Sequence, residues 1–476
     1  MGKLRLFLEN FLIYGLGGII SKGIALLMVP VITRIMPSPV YYGISDLSNT
    51  IISIGSAVAI LGMYDAMYRY FFEKEDDTYK KEICSTTLAF TIGFSFLIFL
   101  LMIIFGENIA SFFFGNPELY YVVYIDAVAV LAGATNGIIS APTRMQNQRR
   151  IFLFFNTFGP IISYTLSIWL LLEGYFIIAL PLAGAVTVIL TEIAFGVLNK
   201  KWFSFDHIRK EYLKGLLALA LPLAPNFFIY WIFNSSDRIM VTNLIDLNAA
   251  GLYAVGSKLG SASQLIYLAF AGGWQYFAFS TMKDKNQVET NSKVFEYLGA
   301  ISFCSFFFVC ALVKPIYEIL FPKEYLDGFV VAPYLFLAPL LQMLMQVIGN
   351  QFLVVKKTWP TSVILGVGAL LNVVFNFYFI PQIGIEGAAI GTLLGYAISL
   401  LLYIFVLRRM DLFILRWHFV LTVGISSAYF LFWRICFTDY PIISLLLSLL
   451  GTAGIAGLYY KDILNLLGKI RRQVYS

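Results

Sequence analysis

Fourteen long apolar segments, separated by short polar turns, constrain this chain more than any other feature of its sequence. A helix needs about 20 mostly apolar residues to cross a membrane, and each segment is about that long. Charged residues make up only 13% of the chain, against roughly 25% in soluble domains. This composition excludes a soluble enzyme, and the long apolar runs exclude the alternating strands of a membrane β-barrel. We expect an all-α polytopic membrane protein with 14 transmembrane helices, at approximately 10–34, 42–68, 83–105, 118–141, 151–172, 176–198, 215–240, 249–279, 294–313, 328–354, 359–380, 385–407, 417–437 and 441–460.

The positions of the positive charges predict how the chain is oriented. If the N-terminus is cytoplasmic, 26 of the 33 Lys and Arg residues fall in cytoplasmic segments and five fall on the opposite side. The remaining two, Lys22 and Lys258, fall inside spans. Cytoplasmic loops of membrane proteins are enriched in Lys and Arg. We therefore expect a multi-pass protein of the plasma (inner) membrane with both termini in the cytoplasm.

The two halves of the chain resemble each other. Residues 10–14, Asn-Phe-Leu-Ile-Tyr, match residues 226–230, Asn-Phe-Phe-Ile-Tyr, at an offset of 216 that also pairs Lys22 with Arg238. After the first outer loop the offset becomes 208. Each copy has six spans, so both copies enter the membrane from the same side, as in parallel-repeat transporters with a site between their halves. The predicted parts are an N-terminal six-helix bundle (1–198), a cytoplasmic linker (199–214), a C-terminal six-helix bundle (215–410), and helices 13 and 14 with a cytoplasmic tail (411–476).

Four spans carry polar residues along one face. In spans 1 and 7 these residues recur every four positions, and in spans 2 and 8 they recur at steps of three and four, which places each set on one side of a helix. Inside a bilayer such faces must meet one another or a water-filled cavity. They therefore either join helices or line a lumen. The residues are Asn10, Tyr14, Gly18 and Lys22; Asn226, Tyr230, Asn234 and Arg238; Asp46, Asn49, Ser53 and Ser56; and Ser257, Ser261 and Gln264, with Lys258 adjoining the last set.

Three cations lie within these spans: Lys22, Arg238 and Lys258. A Lys or Arg near the bilayer centre costs roughly 2.5–3.5 kcal/mol on insertion scales. One interpretation is internal pairing with membrane carboxylates. The other is that the cations line a lumen and bind an anion, and two phosphates would complement two or three cations well.

Carboxylates inside the spans could pair with these cations, relay a proton, or bind a coupling ion such as Na⁺ or H⁺. For the cations inside the spans, the sequence leaves Asp237, Asp46 and Asp65 open as partners. Asp65 lies four residues before Arg69 and could pair with it instead. The candidate carboxylates are Asp46, Asp65, Asp126 and Asp237.

Several kinds of site have no signature in this sequence. The four cysteines and two histidines lack metal-ligand spacing, so we predict no metal and no cofactor. There is no GxxxxGK[ST] motif for ATP hydrolysis. The basic residues are dispersed among loops, which does not indicate nucleic-acid binding. We expect a protein that is not an enzyme.

Several short motifs carry a family resemblance that covers about residues 10–410. The motifs are Gly15-Leu16-Gly17-Gly18 followed by Ser21-Lys22 and Pro30, Tyr42-Gly43, Tyr68-Arg69-Tyr70-Phe71, Ser236-Asp237-Arg238, and Gly251-Leu252-Tyr253. Together with the repeat, they resemble the Wzx-type polysaccharide (O-antigen or capsule) repeat-unit flippases. These belong to the multidrug/oligosaccharidyl-lipid/polysaccharide exporter superfamily.

The resemblance implies two six-helix bundles in a V around a cationic lumen, working by alternating access. The cargo would be a polyprenyl-diphosphate-linked oligosaccharide, moved from the cytoplasmic to the outer leaflet for surface polysaccharide such as lipopolysaccharide. Lys22, Arg238 and Lys258 would meet the diphosphate or acidic sugars, with Arg69 as a further substrate-binding candidate. The polar residues Asn10, Tyr14, Asn226, Tyr230 and Asn234 would line the same lumen. The expected partners are the lipid-linked glycan, the bilayer and polysaccharide polymerase machinery, around a monomer.

Other functions remain open at this point. A lipid II flippase of the same superfamily also has fourteen spans and a cationic lumen. A cation-coupled multidrug antiporter usually has twelve spans and depends on acidic residues in its N-terminal half. A membrane-embedded glycosyltransferase or polymerase would need outer-loop carboxylates, which are isolated here. A channel is a further alternative, although a parallel repeat favours alternating access.

Overall fold

The structure is a computed structural model that describes residues 2–282, 284–462 and 464. Side chains are described within these ranges except at 2–17, 226, 269, 272, 273, 275, 276, 279 and 280. The described residues form helices joined by short turns and contain no strand. The predicted all-α class is therefore confirmed. The predicted cytoplasmic tail beyond residue 464 lies outside the described residues.

The described chain groups into two compact units. Unit 1 comprises Met1–Val255 and Ala369–Gly391, and unit 2 comprises Gly256–Gly368 and Thr392–Ser476. The predicted division into two six-helix bundles on either side of residues 199–214 stays a prediction. The first eleven helices are α1 (Gly2–Ile35), α2 (Pro39–Ile60), α3 (Met63–Phe71), α4 (Asp77–Ile104), α5 (Gly106–Phe114), α6 (Tyr120–Met145), α7 (Arg149–Leu172), α8 (Ala179–Asn199), α9 (Lys210–Ala220), α10 (Ala224–Leu244) and α11 (Leu247–Gly260). The C-terminal end of α11 belongs to unit 2.

The later helices build unit 2 and return once to unit 1. Residues 369–391, in α15 and α16, belong to unit 1. The helices are α12 (Ser263–Ser280), α13 (Gln287–Leu320), α14 (Ala332–Val354), α15 (Trp359–Ile383), α16 (Ile385–Arg409), α17 (Trp417–Phe432) and α18 (Pro441–Leu458). In unit 2 the hydroxyls of Tyr429 on α17 and Ser448 on α18 both donate to the carbonyl oxygen of Phe307, at 3.1 and 2.9 Å. These bonds join the last two helices to α13.

Membrane-crossing helices account for nearly all of the predicted spans. Within the described residues, 12 helical segments are long and apolar enough to cross a membrane. The bent pair Lys210–Leu223 and Phe227–Leu244, with 45° between its parts, is a thirteenth candidate and coincides with predicted span 7. Predicted span 8 falls on α11 and α12, which are separated by a turn at residues 261–262 and are not among those candidates.

Unit 1 is built around α6, which packs against α2, α4 and α8. Local sequence sets where its helices begin and end. Ser38 caps α2 by accepting the backbone N–H of Val40 at 3.3 Å, and Pro39 follows at a position where its missing N–H has no cost. Span 2, predicted as one helix, is broken after Ile60 by Leu61 and Gly62, which both have positive φ (48° and 74°). The break sets α3 apart from α2.

The predicted linker at residues 199–214 is ordered and lies along the start of α4. The backbone N–H of Ser204 donates to the Ser85 hydroxyl at 3.0 Å, and the N–H of Arg209 donates to the Thr86 hydroxyl at 2.9 Å. The Arg209 guanidinium also lies 3.1 Å from the Glu82 carboxylate. These bonds explain why a segment without apolar periodicity has a defined path.

Candidate functional site

Two ends of unit 1 matter for the site. We call the end formed by the α1–α2 turn (residues 36–38) and the α10–α11 turn (residues 245–246) the distal end. The opposite end, where α3 packs against α9, is the proximal end. α2 runs from the distal toward the proximal end, and α10 runs in the opposite direction. Two residues that lie seven or eight positions apart on α2 can therefore face two residues with the same spacing on α10, in reverse order.

An ion pair joins α2 to α10 near the distal end. The Nε of Arg238 donates to Oδ2 of Asp46 at 2.5 Å. The Arg238 side chain is 18% exposed and that of Asp46 only 5%. Among the partners left open by the sequence, Asp46 therefore forms the contact between different helices, and the polar faces of spans 2 and 7 meet at this pair.

Asp237 completes a cluster around the same guanidinium. Its Oδ1 accepts the backbone N–H of Arg238 at 2.9 Å and lies 3.4 Å from Nη1 of Arg238. The hydroxyl of Tyr253, on α11, donates to Oδ2 of Asp237. Nη1 of Arg238 also donates to the carbonyl oxygen of Asn234. Two carboxylates thus surround one guanidinium, and three helices contribute to the cluster.

Two glycines let α2 and α11 touch backbone to backbone beside this cluster. A Cβ added to Gly251 would lie 1.9 Å from the carbonyl oxygen of Pro39, and one added to Gly43 would lie 2.7 Å from the carbonyl oxygen of Leu247. Only glycine allows so close an approach. The contact is reciprocal under the 208-residue offset, which pairs Pro39 with Leu247 and Gly43 with Gly251. Equivalent positions of the two proposed repeats therefore meet here.

Exposed polar side chains continue from the ion pair toward the proximal end. On α2, Asn49 and Ser53 are exposed, and on α10, Asn234 and Tyr230 are exposed. The amide of Asn49 donates to the carbonyl of Ser45 at 2.9 Å, and that of Asn234 to the carbonyl of Tyr230 at 2.7 Å. Each side chain is satisfied on its own helix, so these faces need no partner helix and suit a polar cavity.

Below this polar stretch, apolar side chains close the space between α2 and α10. The cavity between them has an accessible volume of about 10 Å³, about the room that one water molecule needs. Apolar side chains of the two helices therefore lie close together here. The cavity is lined by Ile54, Ala57, Val58, Leu61, Ala224, Phe227, Phe228 and Trp231.

The proximal end is an apolar cluster. Met63 and Met67 of α3 and Leu216 and Ala220 of α9 are fully buried in it. A Cβ on Gly62 would lie 2.7 Å from the carbonyl oxygen of Ala220, so α3 also approaches α9 closely. The other buried members are Ala66, Phe71, Tyr79, Ile83, Cys84, Ile138, Ala141, Met145 and Trp202.

The other predicted cations lie on other helices. Lys22 is exposed on α1, and Lys258 is half-buried in the last turn of α11, within unit 2. Arg69 is exposed on α3 at the proximal end, 3.9 Å from Glu73, and Asp65 is exposed without an ion pair to it in the described part of the chain. The sequence-based pairing of Asp65 with Arg69 was therefore wrong. The side chains of three further candidates, Asn10, Tyr14 and Asn226, lie outside the described residues.

Asp126 is the most isolated candidate carboxylate. It is fully buried on α6, and the hydroxyl of Ser48 on α2 donates to its Oδ1 at 2.5 Å. Its Oδ2 has no hydrogen-bond partner among the described residues. Ser48 lies two residues after Asp46, so α2 contacts Arg238 on one side and Asp126 on another. A second carboxylate, Glu192, is half-buried and accepts a hydrogen bond from Thr135.

Several polar side chains in or near the site were not singled out by the sequence analysis. Tyr253 was noted only within a motif, and Ser48 lies off the predicted polar face of span 2. The hydroxyl of Ser236 donates to Oδ1 of Asn372 on α15 at 3.1 Å. Asn376, one turn further, is fully buried, and its amide nitrogen and oxygen have no partner among the described residues. The only sequence signal for these contacts is a polar residue within an apolar span.

Comparisons with known proteins agree with this architecture. Residues 31–329 match the profile of a family described as polysaccharide biosynthesis protein. An uncharacterized membrane protein of Methanocaldococcus jannaschii is 25% identical, and the match covers 75% of each chain.

Solved structures of transporters share the fold. A structure of the lipid II flippase MurJ in an inward closed conformation has a TM-score of 0.68 at 14% identity, covering 97% of this chain and 100% of that one. An inward-facing multidrug resistance transporter of the MATE family, from the MOP superfamily, has a TM-score of 0.63 at 13% identity, covering 83% and 98%. A MATE transporter of Vibrio cholerae has a TM-score of 0.60 at 14% identity, covering 86% and 98%.

Proposed function

Because this chain belongs to the polysaccharide biosynthesis protein family, we propose that it is a flippase for polyprenyl-diphosphate-linked oligosaccharide repeat units. The resemblance to the polysaccharide exporters predicted from the motifs is confirmed at the level of family and fold. The protein is a multi-pass membrane protein with the fold of a transporter. The cargo, the direction and the site residues are the proposed part.

The observation that carries the proposal is the position of Arg238. Its guanidinium lies where the exposed polar faces of α2 and α10 end, directly beneath the distal contact. A cargo with a charged diphosphate, polar sugars and a long apolar chain needs a polar path with a cation on it and a bilayer beside it. Arg suits phosphate because its planar fork donates two parallel hydrogen bonds.

We propose the other predicted cations as further contacts for the cargo. Lys22, which the 216-residue offset pairs with Arg238, is exposed on α1, and Lys258 is half-buried on α11. We assign Lys22 and Lys258 to contacts with the second phosphate or with acidic sugars. Arg69 at the proximal end would meet the cargo as it enters.

The contacts of the candidate carboxylates bear on which of them could bind a coupling ion. Asp46 and Asp237 are engaged by Arg238, and Asp65 is exposed on α3. Asp126 is buried, and the hydroxyl of Ser48 donates to it. Because an isolated buried charge is costly, we propose that Asp126 binds a proton during the transport cycle.

A reconstituted flipping assay tests the function. Proteoliposomes would contain a polyprenyl-diphosphate oligosaccharide with a fluorophore on its sugar, and dithionite added outside would bleach the outer leaflet. We expect bleaching to exceed half of the fluorescence in wild-type vesicles and to stop near half with Arg238→Gln. Equal bleaching in empty vesicles and in those with protein would contradict the proposal.

A lipid II flippase is the second candidate, because the MurJ structure matches over the whole of its chain. The same vesicles loaded with fluorescent lipid II separate the two functions. Faster transport of the oligosaccharide supports the repeat-unit role, and faster transport of lipid II supports the peptidoglycan role. An ethidium efflux assay tests for multidrug antiporter activity. We expect this assay to give a negative result.

The orientation is tested separately. We propose that both termini are cytoplasmic, since 26 Lys and Arg residues then fall inside. A membrane-impermeant maleimide added to intact cells should label Lys323→Cys and should not label Lys285→Cys. Labelling in the reverse pattern would overturn the orientation.

A further inference from the structure

We propose that Asp46 is an internal substitute for the cargo's phosphate: it holds Arg238 and keeps the distal contact closed until a phosphate replaces it on the guanidinium. This inference rests on the proposed transport of a diphosphate-linked cargo and adds the step that opens the distal end. The proposed step is the replacement of the Asp46 carboxylate by a cargo phosphate on the Arg238 guanidinium.

The charge of the contacting groups favours such an exchange. Asp46 and Asp237 both contact Arg238, so two carboxylates and one guanidinium have a formal net charge of −1 when ionised. A phosphate adds further negative charge, and like charges at contact distance repel strongly where water is scarce. Phosphate therefore binds Arg238 more readily once one of the two carboxylates has left.

The contacts indicate which carboxylate leaves. Asp237 is adjacent to Arg238 on α10, accepts the backbone N–H of Arg238 at 2.9 Å, and accepts the hydroxyl of Tyr253. It therefore moves with the guanidinium. Asp46 reaches Arg238 from α2, so its departure releases one helix from another.

The release of Asp46 would also loosen the glycine contact. Gly43 lies three residues before Asp46, about one helical turn away on α2. It packs against Leu247 and Gly251 of α11. This contact depends on van der Waals distance between backbones. A small shift of α2 that separates Asp46 from Arg238 therefore also separates α2 from α11.

The Arg238 side chain is more exposed than the two carboxylates that it contacts. The Arg238 side chain is 18% exposed, whereas Asp46 and Asp237 are 5% and 4% exposed. Asn234 and Tyr230, the next exposed residues on α10, lead toward it. An anion that follows this face meets the cation before it meets the carboxylates.

The exchange gives the cargo the differential affinity that a conformational change needs. A ligand shifts an equilibrium only if it binds one state more tightly. Phosphate binds Arg238 in the state that Asp46 has left, and it offers the same charge-assisted hydrogen bonds as the carboxylate it replaces. The arrival of cargo thus favours the open distal end, and its departure restores the pair.

The test measures the distal distance directly. Spin labels would be placed at Pro37→Cys and Asn248→Cys, exposed positions in and beside the two distal turns, after alanine has replaced the four native cysteines. Pulsed electron paramagnetic resonance would be recorded on the reconstituted full-length protein, with and without inorganic pyrophosphate. Sodium chloride at equal ionic strength controls for screening.

We expect a single short distance in the wild type and a longer component when pyrophosphate is added. Asp46→Asn should show the longer component without pyrophosphate and should bind pyrophosphate about tenfold more tightly, because the internal competitor is gone. Arg238→Gln should not respond to pyrophosphate. Glu118→Gln, which removes an exposed carboxylate near the start of α6 in unit 1, should behave as the wild type.

Three outcomes would overturn the exchange: no pyrophosphate response in the wild type, the same short distance in Asp46→Asn, or an unchanged response in Arg238→Gln. If Asp46→Asn does not insert into the membrane, Asp46→Glu can be measured instead. It keeps the negative charge, so the exchange predicts that it keeps the short distance. If pyrophosphate opens the contact but no lipid-linked oligosaccharide is flipped, the exchange stands and the proposed cargo is wrong. If oligosaccharide is flipped while the distance never changes, the function stands and the exchange is wrong.

Discussion

The distal and proximal ends of unit 1 join the same parts of the chain in different ways. At both ends, the segment α2–α3 meets the segment α9–α11. At the distal end the contact is an ion pair between Asp46 and Arg238 beside two closely packed glycines. At the proximal end it is a cluster of buried apolar side chains that includes Met67 and Leu216.

This difference determines what can open each end. A charged contact is directional, is weakened by competing ions, and is restored when they leave. An apolar contact depends on the area removed from water or lipid and does not distinguish one anion from another. An anionic cargo can therefore release the distal end while the proximal end stays closed. Alternating access requires this independence of the two ends.

Removal of the guanidinium should have the largest effect. Arg238→Gln leaves Asp46 and Asp237 buried without their cation, which costs about 3–5 kcal/mol when one partner of a buried pair is lost. We expect flipping to fall at least about 100-fold, as in losses of interactions worth roughly 3 kcal/mol. Arg238→Lys should retain part of the activity, because a point charge still attracts phosphate.

The double variant Asp46→Asn with Arg238→Gln separates folding from function. It removes both charges of the inter-helix pair, so its thermal stability should recover toward that of the wild type while flipping stays lost. Arg150→Gln, an exposed arginine in the first turn of α7, is the matched control and should keep full activity. Wild-type flipping by the double variant would make Arg238 a structural residue.

The two glycines give a graded test of the distal contact. An added methyl at Gly251 would lie 1.9 Å from Pro39, and one at Gly43 would lie 2.7 Å from Leu247. We expect Gly251→Ala to lengthen the distal distance and reduce flipping more than tenfold, with a smaller effect for Gly43→Ala. Gly184→Ala on α8, where no atom lies within 4 Å of the added carbon, should leave both measurements unchanged. A reversed order of effects would mean that α2 and α11 do not meet in the membrane.

The sequence predicted the faces of these helices but not their partners. Regular spacing placed Asp46, Arg238, Asn49 and Asn234 on polar faces, and the repeat offset paired Gly43 with Gly251. Spacing along one helix contains no information about which other helix it meets, so the choice among Asp46, Asp65 and Asp237 stayed open. A contact between residues 192 positions apart depends on tertiary packing.

The breaks in spans 2 and 8 were also missed, for a related reason. Both fall inside apolar windows, and hydropathy averaged over about 20 residues hides a turn of two residues. At span 2 the signal was Gly62, which has φ of 74° and lies where α3 turns toward α9. Without the break, the proximal cluster could not form between these two short helices.

The proximal cluster should respond to volume and not to anions. Leu216→Ala removes a fully buried side chain of α9 and should cost about 2–5 kcal/mol of stability, as in other core truncations. Flipping should fall only a few-fold, and the response of the distal distance to pyrophosphate should be unchanged. Leu219→Ala, at an exposed position of the same helix, should change neither. If Leu216→Ala altered the pyrophosphate response, the two ends would not be independent.

A further test concerns Asp126, which contacts α2 through Ser48. Its carboxylate accepts the hydroxyl of Ser48 on α2, so a change in its charge can alter the position of the helix that carries Asp46. Asp126→Asn keeps the shape and the acceptor for Ser48 but cannot exchange a proton. We expect normal insertion, flipping reduced several-fold, and loss of the acceleration that an imposed proton gradient gives to the wild type. Asp65→Asn makes the same chemical change on exposed α3 and should keep that acceleration. If Asp126→Asn still responds fully to the gradient, the coupling ion binds elsewhere, and the distal end is governed by the cargo's charge alone.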